Sequence, residues 1–341
     1  MNLTQLDSKN HFKESQFPTI TVLVTAHRTR KNYIKRALHS VSNQDKVLSH
    51  YETIVVKDFE DPEIDEYIHQ IGARNVILKE STIGEMLAKG IEEAKGDIIC
   101  FLDDDDTFVS NKLKMVQKEF FSNPSLVYFH NSYRKIDERQ KVALNPLYKS
   151  NGFKRDFYGS FSSQYDLLFV LKMNCLTNLS SVSVRRASLI DYVKDISKIT
   201  GATDYMIFYI ARLSNRNFAI GKEILTNYYV HNSAMHLKSP VRLFFKRMYG
   251  LSIDQITTHK YGFSKEPIPA VKKVIFGLLS QWEFLKDITL ATDRKNAIRH
   301  YNGIFQGLFQ IRNNYVILFS ILAFLYILNP LLPIQLIRVF Q

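Results

Sequence analysis

Cysteine is almost absent. The 341 residues contain two, Cys100 and Cys175, too few for a disulfide framework, so the chain reads as reduced and intracellular. Cys100 lies in an apolar run and is expected to act as a small core side chain. The segment from Met1 to Phe17 lacks the apolar stretch of a secretory leader. Acidic residues are outnumbered, 33 Asp and Glu against 45 Lys and Arg, for a formal net charge of +12. That excess suits a phosphorylated substrate, an anionic membrane surface or a nucleic acid. Zinc-finger spacing, an RNP-type aromatic motif and a basic zipper are all missing, which argues against nucleic acid as a partner. No Gly-rich, Arg/Lys-containing phosphate loop follows the first strand, which weakens a nucleotidyltransferase reading. Charged residues make up 23% and hydrophobic ones 45%, a balance that fits a folded chain of one large domain with an appendage, or of two domains.

The most conspicuous stretch is Cys100-Phe101-Leu102-Asp103-Asp104-Asp105-Asp106-Thr107. Four adjacent carboxylates after a buried strand repel one another and lose solvation, so they need solvent, backbone N–H groups or a cation. Hard oxygen ligands favour Mg²⁺ or Mn²⁺, ions often held by one or two carboxylates plus the phosphates of a substrate. A solvated acidic turn is the plainer alternative for such a run.

Its context decides between them. Thr19 to Val24 is a β-rich run ending at Thr25-Ala26-His27-Arg28, followed by a helix with Tyr33, Ile34, Ala37, Leu38 and Val41 at helical spacing. A second strand, Tyr51 to Val56, ends at Lys57-Asp58, and Asp61-Pro62 opens the next helix. Val76 to Leu78 is a short third strand. Glu85 to Ala94 is a helix closed by Gly96, and the strand Asp97 to Leu102 delivers the acidic cluster. Alternating strands and helices predict a doubly wound α/β fold with a mostly parallel sheet, whose ligands bind at the carboxyl ends of the strands. Thr25, Asp58 and the Asp cluster all fall at such ends. Further on, Asn111 to Phe121 and Asp204 to Leu213 read as helices, Leu126 to His130 and Ser180 to Val184 as strands, and 145–175 as loops over the site.

From Pro240 the character changes. Lys238, Arg242, Lys246 and Arg247 face Leu243, Phe244 and Met248 across a basic amphipathic helix, suited to anionic lipid or to an ordinary solvated face. Helix-like sequence continues from Ala270 to Phe309. Between Arg312 and Arg338 no charged residue occurs; the apolar run from Tyr315 to Leu328 is interrupted by Asn329-Pro330 and resumes with Leu331-Leu332-Pro333-Ile334. A single span, a re-entrant or in-plane anchor broken at Pro330, and a very hydrophobic docking helix are the readings open to this stretch, and attachment to a membrane is the expectation. The basic residues before it place the preceding domain on the cytoplasmic side. Four regions follow: a polar tail over 1–17, an α/β domain over 18–236, a helical extension over 237–312 and a hydrophobic segment over 313–341.

Val22-Leu23-Val24-Thr25-Ala26-His27, then Ile54-Val55-Val56-Lys57-Asp58, then Gly84 with Ala88-Lys89-Gly90-Ile91 and Ala94-Lys95-Gly96-Asp97, then Phe101-Leu102-Asp103-Asp104-Asp105-Asp106 together resemble the family 2 glycosyltransferases of GT-A fold. The resemblance covers about residues 18 to 235. It implies a nucleotide-sugar donor, a UDP- or GDP-sugar, held by Thr25, Ala26, Asp58, Lys89, Asp103 and Asp104, with Asp58 accepting from the base. It implies Asp105 as the principal Mn²⁺ or Mg²⁺ ligand, with Asp103 and His231 as further ligands, and Asp106 as a supporting or turn-capping residue. It also implies a general base for an inverting attack at Asp204, in Gly201-Ala202-Thr203-Asp204-Tyr205. The sequence departs from the family pattern at His27-Arg28, Lys57, Lys89 and Thr203. The acceptor is expected to be a glycan or a lipid-linked saccharide. A polyprenyl-phosphate glycosyl synthase, which needs no base, and a non-catalytic nucleotide-sugar-binding or scaffold protein are the alternatives.

Overall fold

The computed structural model describes residues 17–137, 142–144, 157–159, 163–172, 176–230, 241–290 and 301–303, together with 321, 324, 325, 328 and 329. Ten strands form one sheet. They are β1 (Ile20–Ala26), β2 (Tyr51–Lys57), β3 (Arg74–Ile77), β4 (Ile98–Asp103), β5 (Thr107–Phe108), β6 (Leu126–Asp137), β7 (Val142–Leu144), β8 (Phe157–Gly159), β9 (Val182–Arg185) and β10 (Asn217–Val230). The order is β3-β2-β1-β4-β9-β6-β10-β5, with β7 on β6 and β8 on β10. Strands β3, β2, β1 and β4 run parallel, whereas β9 is antiparallel to both β4 and β6. The sheet is therefore the mostly parallel, doubly wound one that the alternation of elements predicts.

Nine helices are described: α1 (Ile34–Ser42), α2 (Pro62–Gln70), α3 (Ile83–Glu93), α4 (Lys112–Ser122), α5 (Gln164–Lys172), α6 (Val193–Ile196), α7 (Thr203–Leu213), α8 (Val241–Lys265) and α9 (Pro269–Leu290). Helices α2 and α3 start where the sequence supplies a cap. Asp61 accepts from Ile64 N–H with Pro62 in the first turn of α2. Thr82 and Glu85 form a reciprocal capping box on α3, which is why that helix begins at Ile83 rather than at Glu85.

Strand residues alternate between two buried faces. Val22, Val24, Val55, Cys100 and Leu102 meet α1, α2 and α4 on one side. Leu23, Ile54, Val56 and Phe101 meet α3 and α7 on the other. Burial on both faces explains the near-continuous apolar strands. Val271, Val274, Ile275 and Leu278 of α9 join that second core, so the helices after residue 240 continue the α/β core.

Two expectations are refined. The stretch over 145–175 contains β8 and α5 among its described residues, not loops alone; the apolar residues Leu167, Leu168 and Val170 bury α5 in the core. Strands β6 and β10 are longer than the apolar runs suggest because they pair in parallel with each other along most of their length. Lys238 and His231 lie outside the described residues, as does nearly all of the apolar stretch over 313–341. Among the described residues no helix is long and apolar enough to cross a membrane.

Gly84 fixes how α3 sits against α6. Its N–H donates to Ile199 O at 3.0 Å, and a Cβ there would press into the backbone carbonyls of Ile196 and Ile199. Since backbone cannot step aside as a side chain can, Gly84→Ala is expected to cost about 1–3 kcal/mol. The measurement is a urea melt, in which the midpoint should fall with an unchanged slope.

Candidate active site

Parallel register brings three strand ends together. Thr25 of β1 lies level with Val56 of β2 and Asp103 of β4, and Ala26 lies level with Lys57. Asp58, just past β2, donates its N–H to Ala26 O at 3.3 Å. Thr25, Ala26, Asp58 and Asp103 therefore line one edge of the sheet, where a doubly wound fold presents its ligand crevice.

The four aspartates then diverge. A turn closed by Asp106 N–H to Asp103 O at 3.2 Å follows β4. Asp104 is turned inward, fully buried, accepting from His27 N–H at 2.8 Å and facing Arg30 Nε at 2.9 Å. Asp103, Asp105 and Asp106 each present a carboxylate oxygen to one point, the three lying within 4.8 Å of one another. Asp106 is fully buried; its Oδ1 accepts from Tyr229 N–H on β10 at 3.1 Å, and its Oδ2 has no hydrogen-bond partner. A buried carboxylate oxygen without a partner, beside two further hard oxygens, fits a small divalent cation.

Burial dominates the electrostatics of this turn. It raises Asp103 to about 6, with the Asp105 charge adding to it. It raises Asp104 to about 8 against the opposing pull of Arg30. Asp106 is pushed well above the usual carboxylate range by burial and by the charges of Asp105 and Asp103.

Cations surround the cluster. Arg30 Nη1 reaches Asp105 Oδ2 at 3.0 Å, and Arg36 donates to Asp105 O at 2.8 Å while stacking 3.6 Å over the Tyr229 ring. Beneath, the fully buried Lys112 donates to Ser180 O at 2.5 Å and Thr226 Oγ1 at 3.1 Å, its pKa brought down to about 7 by burial. None of these three was singled out from the sequence. The run Arg28-Thr29-Arg30-Lys31 directly after β1 was the available signal for Arg30.

The short segment after β1 also connects the two acidic ends. His27 Nε2 lies 3.0 Å from Asp58 Oδ2, and Arg28 N–H donates to Asp58 Oδ1 at 2.6 Å. Of the two cations that replace common family residues, Arg28 thus meets Asp58, through its backbone and by Nη2 to Asp58 O at 3.4 Å. Lys57 is buried, pairs with Asp65 at 2.7 Å and donates to Phe59 O. Lys89 is paired with Glu93 one turn along α3 at 2.7 Å, so its ammonium is engaged on the helix surface and not with the acidic turn.

Asp204 sits in the first turn of α7. Its carboxylate accepts from Tyr205 N–H at 2.9 Å and from the Asn178 N–H. Burial raises it to about 7, partly offset by those N–H donors, and the nearby Asp103 charge adds to the rise. The structure therefore brings Asp204 to the acidic turn across about a hundred residues of sequence. Two non-glycine residues in left-handed backbone hold it there: Asn178 at φ 72° and Ala202 at φ 53°. Asparagine tolerates that region and alanine does not, so Ala202 carries strain next to the candidate base.

Comparison with known proteins follows from this geometry. The family model for glycosyl transferase family 2 matches residues 21–191. An uncharacterised glycosyltransferase of Rickettsia bellii is 31% identical over 126 residues, 36% of this chain and 18% of that protein. A Bacillus subtilis glycosyltransferase named for teichuronic acid biosynthesis, TuaG, is 30% identical over 128 residues, 34% of this chain and 47% of that one. The alignments thus span less than half of either relative. Among solved structures, S. aureus TarS 1-349 in complex with UDP-GlcNAc superposes with a TM-score of 0.55 at 15% identity, over 92% of this chain and 88% of that chain. TarS 1-349 in complex with UDP gives 0.53 at 15% identity, over 87% and 82%. At these identities the likeness speaks for the fold.

Replacing Ala202 by glycine removes the Cβ that makes φ 53° unfavourable. The relief of about 1–2 kcal/mol exceeds the roughly 0.4–1 kcal/mol that glycine adds to the entropy of the unfolded chain. Ala202→Gly is accordingly expected to be neutral to slightly stabilising in thermal melts, whereas Ala202→Val should lower Tm.

Proposed function

The chain belongs to glycosyl transferase family 2, and from that premise we propose that it transfers a sugar from a nucleotide-sugar donor to an acceptor hydroxyl in a single inverting displacement. The observation that carries this reading is the pairing of two acidic groups of opposite duty. Asp103, Asp105 and Asp106 gather oxygens at one point, and Asp204 stands near them with its carboxyl raised to about 7. A carboxylate so raised is half ionised near neutrality, as a general base should be.

In this reading Thr25, Ala26 and Asp58 line the nucleoside side of the crevice, and Asp58 accepts from the base once His27 gives way. Asp103, Asp105 and Asp106 would hold Mn²⁺ or Mg²⁺, with His231 as a further candidate. When bound, the ion neutralises charge on the departing diphosphate. Asp204, half-buried at the start of α7, removes the proton from the acceptor hydroxyl. Asn178 and Tyr205 fix the carboxylate through their N–H groups. UDP-sugar donors are favoured over GDP-sugars by the superposition on a TarS complex with UDP-GlcNAc.

The proposed acceptor is a cell-envelope saccharide, supported by the TuaG relative, and a lipid-linked one is favoured by the apolar stretch beyond residue 313. We place the chain at the membrane through that stretch, with the α/β domain on the cytoplasmic side. At its described positions Ile321, Phe324 and Leu328 are exposed.

Asp204→Asn is expected to lower kcat by about 10²–10⁴-fold while leaving donor binding in place. For the intact protein, kcat/KM should rise with pH as Asp204 loses its proton and level off above about pH 7. Both are read by transfer from UDP-sugars to membrane extracts. Near-normal turnover by Asp204→Asn would instead indicate transfer to a lipid phosphate, which needs no base.

A further inference from the structure

Arg30 has no part in the chemistry just described, yet it spans the acidic turn. Its Nε lies 2.9 Å from Asp104 Oδ1 and its Nη1 3.0 Å from Asp105 Oδ2. The two partners differ. Asp105 belongs to the trio whose oxygens gather within 4.8 Å; Asp104 does not. Asp104 is fully buried and also tied to His27 N–H at 2.8 Å, so the Arg30–Asp104 contact has a fixed anchor. Arg30 itself keeps 35% of its side chain exposed. It comes from the 3₁₀ turn Arg28–Arg30, outside the sheet, whereas the carboxylates are fixed by β4 and by Tyr229 of β10.

A divalent cation of the size of Mg²⁺ would sit roughly 2.0–2.1 Å from each carboxylate oxygen. A guanidinium on Asp105 at 3.0 Å would then stand within a few ångströms of the ion. Like charges that close, in a partly buried turn, repel strongly. We propose, on the reading of Asp103, Asp105 and Asp106 as a metal site, that Arg30 is the resident counter-ion of Asp105: a divalent cation displaces it on binding, while Asp104 keeps it tethered beside the site. The arginine stabilises the turn in the absence of metal and lowers metal affinity by the same interaction. The two states exchange one cation for another on the same carboxylate.

The test uses the full chain and Mn²⁺ alone, titrated by calorimetry and read independently by thermal melting. Arg30→Gln should bind Mn²⁺ roughly tenfold more tightly than the unmodified chain, the change expected for removing one competing charge. Arg30→Lys, which keeps the charge without the forked geometry, should fall between. In chelator, Arg30→Gln should melt below the unmodified chain, and saturating Mn²⁺ should close that gap. Equal or weaker Mn²⁺ binding by a folded Arg30→Gln overturns the inference. If that variant does not fold without metal, Arg30→Lys decides, and unchanged or weaker binding there overturns it equally. Absence of Mn²⁺ binding in all three chains overturns the metal reading itself. Binding that survives Asp105→Asn undiminished places the ion elsewhere and likewise removes the basis for the exchange.

Discussion

Four consecutive carboxylates must be kept at the end of a buried strand. Each loses solvation, and each feels its neighbours, so the turn after β4 is costly wherever the chain leaves it uncompensated. The fold answers with several partial devices. Backbone N–H groups of His27 and Tyr229 each take one carboxylate oxygen. Arg30 bridges two carboxylates at the rim, and Lys112 brings a cation beneath. What these leave over appears as raised pKa values at Asp103, Asp104 and Asp106. Burial is the largest cause of each rise, so the turn's cost lies more in lost solvation than in the repulsion between its charges.

That requirement orders the rest of the crevice. The 3₁₀ turn after β1 holds its place between the two acidic ends because His27 and Arg28 engage Asp58 while Arg30 engages Asp104 and Asp105. The acidic ends of β2 and β4 are thereby joined by one short basic segment. A change in any of these contacts is felt at both ends, since the segment has only a few residues over which to absorb it.

Much of the fold was legible because its physics is local. Apolar runs of strand length, the helical spacing of Ile34, Ala37, Leu38 and Val41, and the Asp61-Pro62 start each act within a few residues, and the elements formed as expected. The convergence of Thr25, Asp58 and Asp103 followed from the parallel alternation alone. The division of labour inside the Asp run did not. Which aspartate turns inward depends on the turn from Asp103 to Asp106 and on Arg30 and Tyr229, residues of distant elements. Lys112 and Arg36 escaped for the same reason, since a basic residue at a helix start gives no local sign that Ser180 and Thr226, or the Tyr229 ring, will enclose it. Lys89 illustrates the converse, since Glu93 one helical turn away is a local partner that the spacing itself displays.

The helices after residue 240 acquire a meaning from α7. That helix carries Asp204 at its start, and three residues further along it meet α8 or Glu266, the residue that follows it. Tyr205 lies edge-on to the His259 ring, Tyr209 shares a 2.8 Å hydrogen bond with His259 Nδ1, and Arg212 pairs with buried Glu266 through two bonds. Residues 205, 209 and 212 lie on one helical stripe. Gly262 lets α8 close on the Tyr209 ring, where any Cβ would collide. A buried ion pair of this kind adds little net stability, because desolvation consumes most of the attraction, but its geometry is demanding. Three directional contacts along one stripe fix both the rotation of α7 and its position along its axis. A slip of one residue would carry Asp204 about 1.5 Å along the axis and 100° around it, out of reach of the Asn178 N–H. The helical extension thus holds the candidate base in register with the acidic turn, although none of its described residues reaches that turn.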